Sequence, residues 1–132
     1  MFAVEVRDHI MIGHSLPAPV FGPAQRMHGA TFVVDAAFFA EELDANGIVV
    51  DIGRATEALT EALAPLRYRN LDELPAFSGR FSTTEVLCRH IFEALAAAAR
   101  SGGFGDGGRL RRLRVTLHES HVARGWYEAD LT

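Results

Sequence analysis

Residues 82–119, STTEVLCRHIFEALAAAARSGGFGDGGRLRRLRVTLHE, read as a helix, a break and a strand. Ser82-Thr83-Thr84-Glu85 has capping-box spacing, with Ser82 as the cap and Glu85 three residues later. Leu87, Ile91, Leu95 and Ala98 then recur at helical spacing and make one apolar face. Ser101-Gly102-Gly103 stops the helix. Residues 102–108 form a glycine-rich connector without the Lys-Ser/Thr ending of a phosphate-binding loop, so no nucleotide role is assigned to them. From about Leu110 to Glu119 the period becomes two, and Leu113, Val115, Leu117 and Glu119 share a face. That face is apolar until the carboxylate. A carboxylate buried there needs partners, either one of the many Arg residues or a ligand.

The chain on either side completes the pattern. Phe2, Val4 and Val6 alternate with Ala3, Glu5 and Arg7, a half-buried strand that continues to His14. Pro17, Pro19, Gly22 and Pro23 make residues 15–25 a loop rather than a helix. A second strand spans roughly Met27 to Phe39, and a turn at residues 44–47 leads into Ile48-Val49-Val50. Asp51 is an N-cap for a helix whose apolar face is Ile52, Ala55, Leu59, Ala62, Leu63 and Leu66. Residues 67–81 are irregular, and a last strand runs from about Ala123 to Leu131. The order ββααββ predicts a single α+β domain over residues 1–132, a four-stranded antiparallel sheet with two helices on one face. Its two open edges call for cover or for another subunit, so assembly into a closed barrel is expected.

Composition narrows the function. The net charge is −4, which argues against a nucleic-acid partner. All 13 basic residues are Arg, so no lysine Schiff base or lysine general base is available. One cysteine, Cys88, rules out an intrachain disulfide and a cysteine zinc cage; it reads as a core residue. Glu5, Arg7 and Asp8 interrupt any signal-peptide pattern, and no apolar run reaches the ~18 residues of a membrane span. The expectation is a cytoplasmic protein without membrane contact.

Several pieces in order resemble the 6-pyruvoyltetrahydropterin synthase and 6-carboxytetrahydropterin synthase family. These are His14 ending the first strand, His28-Gly29 opening the second, and residues 46–51 (NGIVVD) before the first helix. Asn70-Leu71, Thr83-Thr84-Glu85 and Glu119 follow. The resemblance implies a tunnelling fold (T-fold), a hexamer of two stacked trimers, and sites between subunits for a pterin-like small molecule. It implies Glu119 as the acceptor for the pterin's 2-amino and N3–H donors, a bidentate pairing with good selectivity. Thr83, Thr84 and Glu85 would be further substrate-binding residues at the helix start.

The same resemblance shows what is absent. The family holds zinc with the strand-end His and a His-Gly-His, residues two apart on a strand sharing a face. Here the third ligand position is Ala30, which has no donor atom, so no zinc cofactor is expected and His14 and His28 read as polar pocket residues. The family's proton-accepting Cys is replaced by Ala24, and its Asp-His pair by Arg67 and Tyr68. Arg cannot orient a His as Asp does, and Tyr is a poor base at neutral pH. No catalytic residue is therefore assigned. The resulting expectation is a pterin-binding homolog without the zinc-dependent lyase chemistry. The alternatives are an active zinc-dependent synthase and a non-catalytic structural or regulatory subunit. Arg67 and Tyr68 could also line the pocket, although a solvated loop is the simpler place for Arg67. Arg109, Arg111, Arg112 and Arg114 form a basic run expected on the outer side of the third strand.

Overall fold

A computed structural model describes residues 1–131. The elements run β1 (Phe2–His14), β2 (His28–Ala40), α1 (Ile52–Leu63), α2 (Thr84–Arg100), β3 (Arg112–His118) and β4 (Arg124–Asp130). Short 3-10 turns occupy Pro19–Gln25, Leu71–Glu73 and Pro75–Phe77. The four strands form one antiparallel sheet in the order β1-β2-β3-β4. The ββααββ order and the two-helix layer agree with the sequence reading.

Strand alternation separates two faces. Val6, Ile10 and Ile12 of β1, Phe32, Val34, Ala36 and Phe38 of β2, and Leu113, Val115 and Leu117 of β3 are buried against the helices. Helix α1 supplies Ala55, Leu59 and Leu63 and lies against β1. Helix α2 supplies Leu87, Cys88, Ile91 and Leu95 and lies against β3 and β4. Asp51 caps α1 as expected, its Oδ1 accepting from the Arg54 backbone N–H at 3.2 Å. The helix ends three residues before Leu66, which packs from the following turn, and Ile52 stands exposed.

The start of α2 differs from the capping-box expectation. Thr83, not Ser82, is the N-cap, and its Oγ1 accepts from the Val86 N–H at 3.3 Å. Glu85 therefore falls one position too early to close the box. The Ser82 hydroxyl faces the interior, where it meets His14. A long-range polar partner has displaced a local one.

On the helix-free face, Arg7, Asp35 and His118 form a charged row across three strands. Arg7 Nε and Nη2 donate to Asp35 at 2.7 and 3.0 Å, and His118 Nε2 lies 2.8 Å from the same carboxylate. Burial alone would raise the Asp35 pKa. The hydrogen bonds from Arg7 and His118 outweigh it and hold the group below the usual carboxylate range. The basic run divides: Arg112 and Arg114 lie on β3 and pair with Glu128 and Asp130 of β4. Arg109 and Arg111 precede the strand. Arg109 donates to the Val49 carbonyl at 2.9 Å, and Arg111 meets Glu41.

The outer edge of β1 is only partly open. The Tyr68 N–H donates to the Met11 carbonyl at 2.8 Å, and the Gly13 N–H donates to the Arg69 carbonyl at 2.9 Å. Arg67 extends this cover by donating to the His9 carbonyl at 2.6 Å and to Asp8 at 2.5 Å. Arg67 is thus neither a solvated loop residue nor directed to a pocket. Tyr68 sits at φ 55°, in the left-handed region uncommon for a side-chain-bearing residue, with its side chain exposed.

Candidate functional site

Three segments meet at one end of the sheet. The first is the strand pairing His14↔His28, the last pair of the β1–β2 ladder. Both side chains project on the core parity of their strands, and the rings meet edge on, with centroids 4.6 Å apart and an interplanar angle of 61°. His14 is 4% exposed, and its Nδ1 lies 3.0 Å from both the carbonyl oxygen and the hydroxyl of Ser82. His28 is half-buried, and its Nδ1 lies 2.8 Å from the Arg26 carbonyl. Burial and the neighbouring His28 push the His14 pKa down. The Ser82 carbonyl, Asp72 and Glu119 oppose this without overturning it.

The second segment is the β3–β4 hairpin. Glu119 follows the last residue of β3, and its backbone N–H closes the turn on the Ala123 carbonyl at 3.1 Å. Three core side chains lead to it, as the alternation requires, but the strand ends one residue earlier and Glu119 is exposed rather than buried. It helps line an open cavity of about 590 Å³ with Arg7, Thr31, His118, Ser120 and His121. Among the described residues, no side chain donates to its carboxylate, so the salt-bridge reading of Glu119 finds no Arg within the chain.

The third segment is the first turn of α2. A side chain at Gly125 would place its Cβ 3.3 Å from Thr84 Cγ2. The missing side chain lets the helix start settle on the hairpin that carries Glu119. Thr83 and Thr84 are half-buried and Glu85 is exposed at this junction. Cys88, one turn further in, donates its thiol to the Gly125 carbonyl at 3.3 Å, and burial pushes its pKa up to about 11. It is a packed core group, not an activated thiolate.

The fold therefore brings His14, His28, Glu119 and the Thr83-Thr84-Glu85 turn to one end of the sheet, close enough for the Glu119 charge to act on His14. Arg67 is tied to β1, and Tyr68 points its ring outward from the strand edge. Ser82, absent from the sequence-derived site, belongs to it through His14. Only contact across 68 positions reveals that role, and no local signal carries it.

A four-stranded antiparallel sheet in the order β1-β2-β3-β4, with ββααββ connectivity and two helices on one face, is the architecture of the tunnelling-fold class. The family model described as 6-pyruvoyl tetrahydropterin synthase matches residues 3–130, and the chain belongs to that family. The fold is similar to that of the Caenorhabditis elegans 6-pyruvoyl tetrahydropterin synthase at 22% identity, covering 97% of this chain and 95% of that one, with a TM-score of 0.81. The Plasmodium falciparum 6-pyruvoyl tetrahydropterin synthase aligns at 13% identity over 97% and 98% of the two chains, with a TM-score of 0.73. An uncharacterized Wolinella succinogenes protein, WS1659, aligns at 14% identity over 96% and 97%, with a TM-score of 0.69. No curated protein matches the sequence.

The zinc that the family resemblance implies does not fit the donor set of this chain. Ala30 stands two residues beyond His28, where a third imidazole is needed, and it pairs with the apolar Ile12. Among the described residues, no group of three His, Cys, Asp or Glu side chains could hold a metal ion. Also among them, no helix is long and apolar enough to cross a membrane.

Proposed function

We propose that this chain binds a pterin-like heterocycle and does not carry out the zinc-dependent synthase reaction. One observation carries the reading: among the described residues the Glu119 carboxylate has no side-chain partner, and it follows an apolar strand face on the hairpin whose Gly125 receives the first turn of α2. A flat heterocycle with an adjacent amino group and ring N–H supplies two parallel donors that match a carboxylate. Thr84 and Glu85 meet that hairpin at Gly125, and together with Thr83 they would add further contacts to the ligand. Ala24, Ala30 and the strand-bound Arg67 leave neither a third zinc ligand nor a thiolate relay. Copies of the chain would meet at the open edges of β1 and β4, bringing neighbouring subunits to the ends of the sheet where these residues lie.

Calorimetry on the full chain with neopterin tests the proposal. Wild type should bind, and Glu119→Ala should weaken binding ten- to a hundredfold, since a bidentate charge-assisted contact is worth roughly 1.5–3 kcal/mol. No binding by wild type, equal binding by Glu119→Ala, or turnover of dihydroneopterin triphosphate at rates typical of active synthases would overturn it.

A further inference from the structure

We infer that the helix-free face of the sheet carries a second small-molecule site, centred on Thr116, which takes a flat ring bearing a single carboxylate. The site is independent of the function proposed above. It lies on the opposite face of the sheet from the helices and from the parity of His14 and His28.

The strand register builds it. Thr116 of β3 is paired with Asp35 of β2 on one side and with Trp126 of β4 on the other. Arg114 and His118 stand two residues away along β3 and share its face, and Arg124 is paired with His118. A short side chain is thus ringed by larger ones, around a depression of about 180 Å³ with Thr116 as its buried floor. A cavity of roughly 150 Å³ holds benzene, so the space suits one ring and not a substituted bicyclic heterocycle.

The charges around the depression are unequally spent. Asp35 already accepts from Arg7 and from His118. Among the described residues, Arg124 makes no ion pair and no side-chain hydrogen bond. Arg114 Nη1 lies 3.9 Å from Glu128, too far for a hydrogen bond, and its Cζ sits 5.5 Å from the Phe39 ring centroid. Two guanidinium groups therefore have donors to offer on the β3–β4 side, and a carboxylate is the acceptor that matches their planar fork. Trp126 is 53% exposed and stands two residues from Arg124 on the same face of β4. Its indole supplies an apolar wall against which a ring can stack. Glu5 lines the β1 side and repels a second negative charge there. The ligand class this selects is a monoanion with one aromatic ring, its carboxylate turned toward the two Arg residues. A strand added beside β4 would bond in the plane of the sheet and leave this face open.

Trp126 is the sole tryptophan of the chain, so its fluorescence reports directly on the site. Titration of the full chain with benzoate at constant ionic strength should give a saturable change in that emission, with a dissociation constant of about 1 mM. Benzyl alcohol keeps the ring without the charge, and acetate keeps the charge without the ring. Each should bind at least about tenfold more weakly than benzoate. Arg124→Gln should weaken benzoate about tenfold as well. Unchanged emission, a change that does not saturate, an equal affinity for acetate or benzyl alcohol, or an unaltered benzoate affinity in Arg124→Gln would each overturn the inference. Arg124 is exposed, so its replacement spares the core, and the three-ligand comparison on wild type decides even without the variant.

Discussion

Asp35 offers the sharpest test of the charged row on the helix-free face. Its side chain is 6% exposed and takes three hydrogen bonds, at 2.7 and 3.0 Å from Arg7 and 2.8 Å from His118. Asp35→Asn keeps the shape, removes the charge and turns an amide donor toward groups that are themselves donors. The Arg7 side chain is 64% exposed, so water screens that pair and rehydrates the guanidinium once the charge is gone. His118 is 23% exposed and recovers less. Weighing one discounted pair and one better-shielded contact, the loss at pH 7 should be about 2 kcal/mol. The native pKa is depressed below the unfolded value of about 3.9, so the carboxylate's contribution is in full force above pH 4. As the pH falls, the unfolded chain takes up the proton first, and the advantage of wild type drains away through the native pKa. Urea denaturation of both proteins, at one protein concentration and at pH 7 and pH 3, measures this. A gap below about 0.5 kcal/mol at pH 7, or one that persists undiminished at pH 3, would refute the reasoning.

Two further outcomes follow from the start and the interior of α2. Thr83→Ala should cost about 1 kcal/mol in thermal or urea melts and Thr83→Ser only a few tenths, because the Ser hydroxyl can still accept from the Val86 N–H. A Thr83→Ala variant as stable as wild type would return the cap to Ser82. Cys88, with its pKa moved from 9.0 to about 11, should react with iodoacetamide at pH 8 about a hundredfold more slowly in the folded protein than in urea. Comparable rates in the two states would contradict its packing against Gly125.

Much of the fold was legible because it depends on local periodicity. The alternation through Val6, Ile10 and Ile12, the helical spacing of Leu87, Ile91 and Leu95, and the Asp51 cap all survive in the structure. What escaped depends on contacts between distant residues. Ser82 carries every local mark of a cap, yet His14 claims its hydroxyl from another element. Arg67 looks like a loop charge until β1 places Asp8 and the His9 carbonyl beside it. Asp35 did leave a trace, as the lone charge in TFVVDAAFFA at residues 31–40, on the parity opposite Phe32, Val34 and Ala36. Parity alone names no partner for it; the cross-strand register sets Arg7 opposite it, and His118 reaches it diagonally from the position opposite Val33. The position of Glu119 was readable and its exposure was not, since alternation says which way a side chain points and not where the ladder stops.

The segment laid along β1 limits what can be added to the sheet from that side. The Met11 carbonyl is already taken by residue 68 and the Gly13 N–H by residue 69, and Arg67 occupies the carbonyl of His9. Among the described residues, the part of this edge that no other segment covers runs along positions 2–8, a berth as long as the seven residues of β4. Such a short berth, closed at one end, allows few ways of sliding in. It favours one alignment over a slippery, open-ended stack.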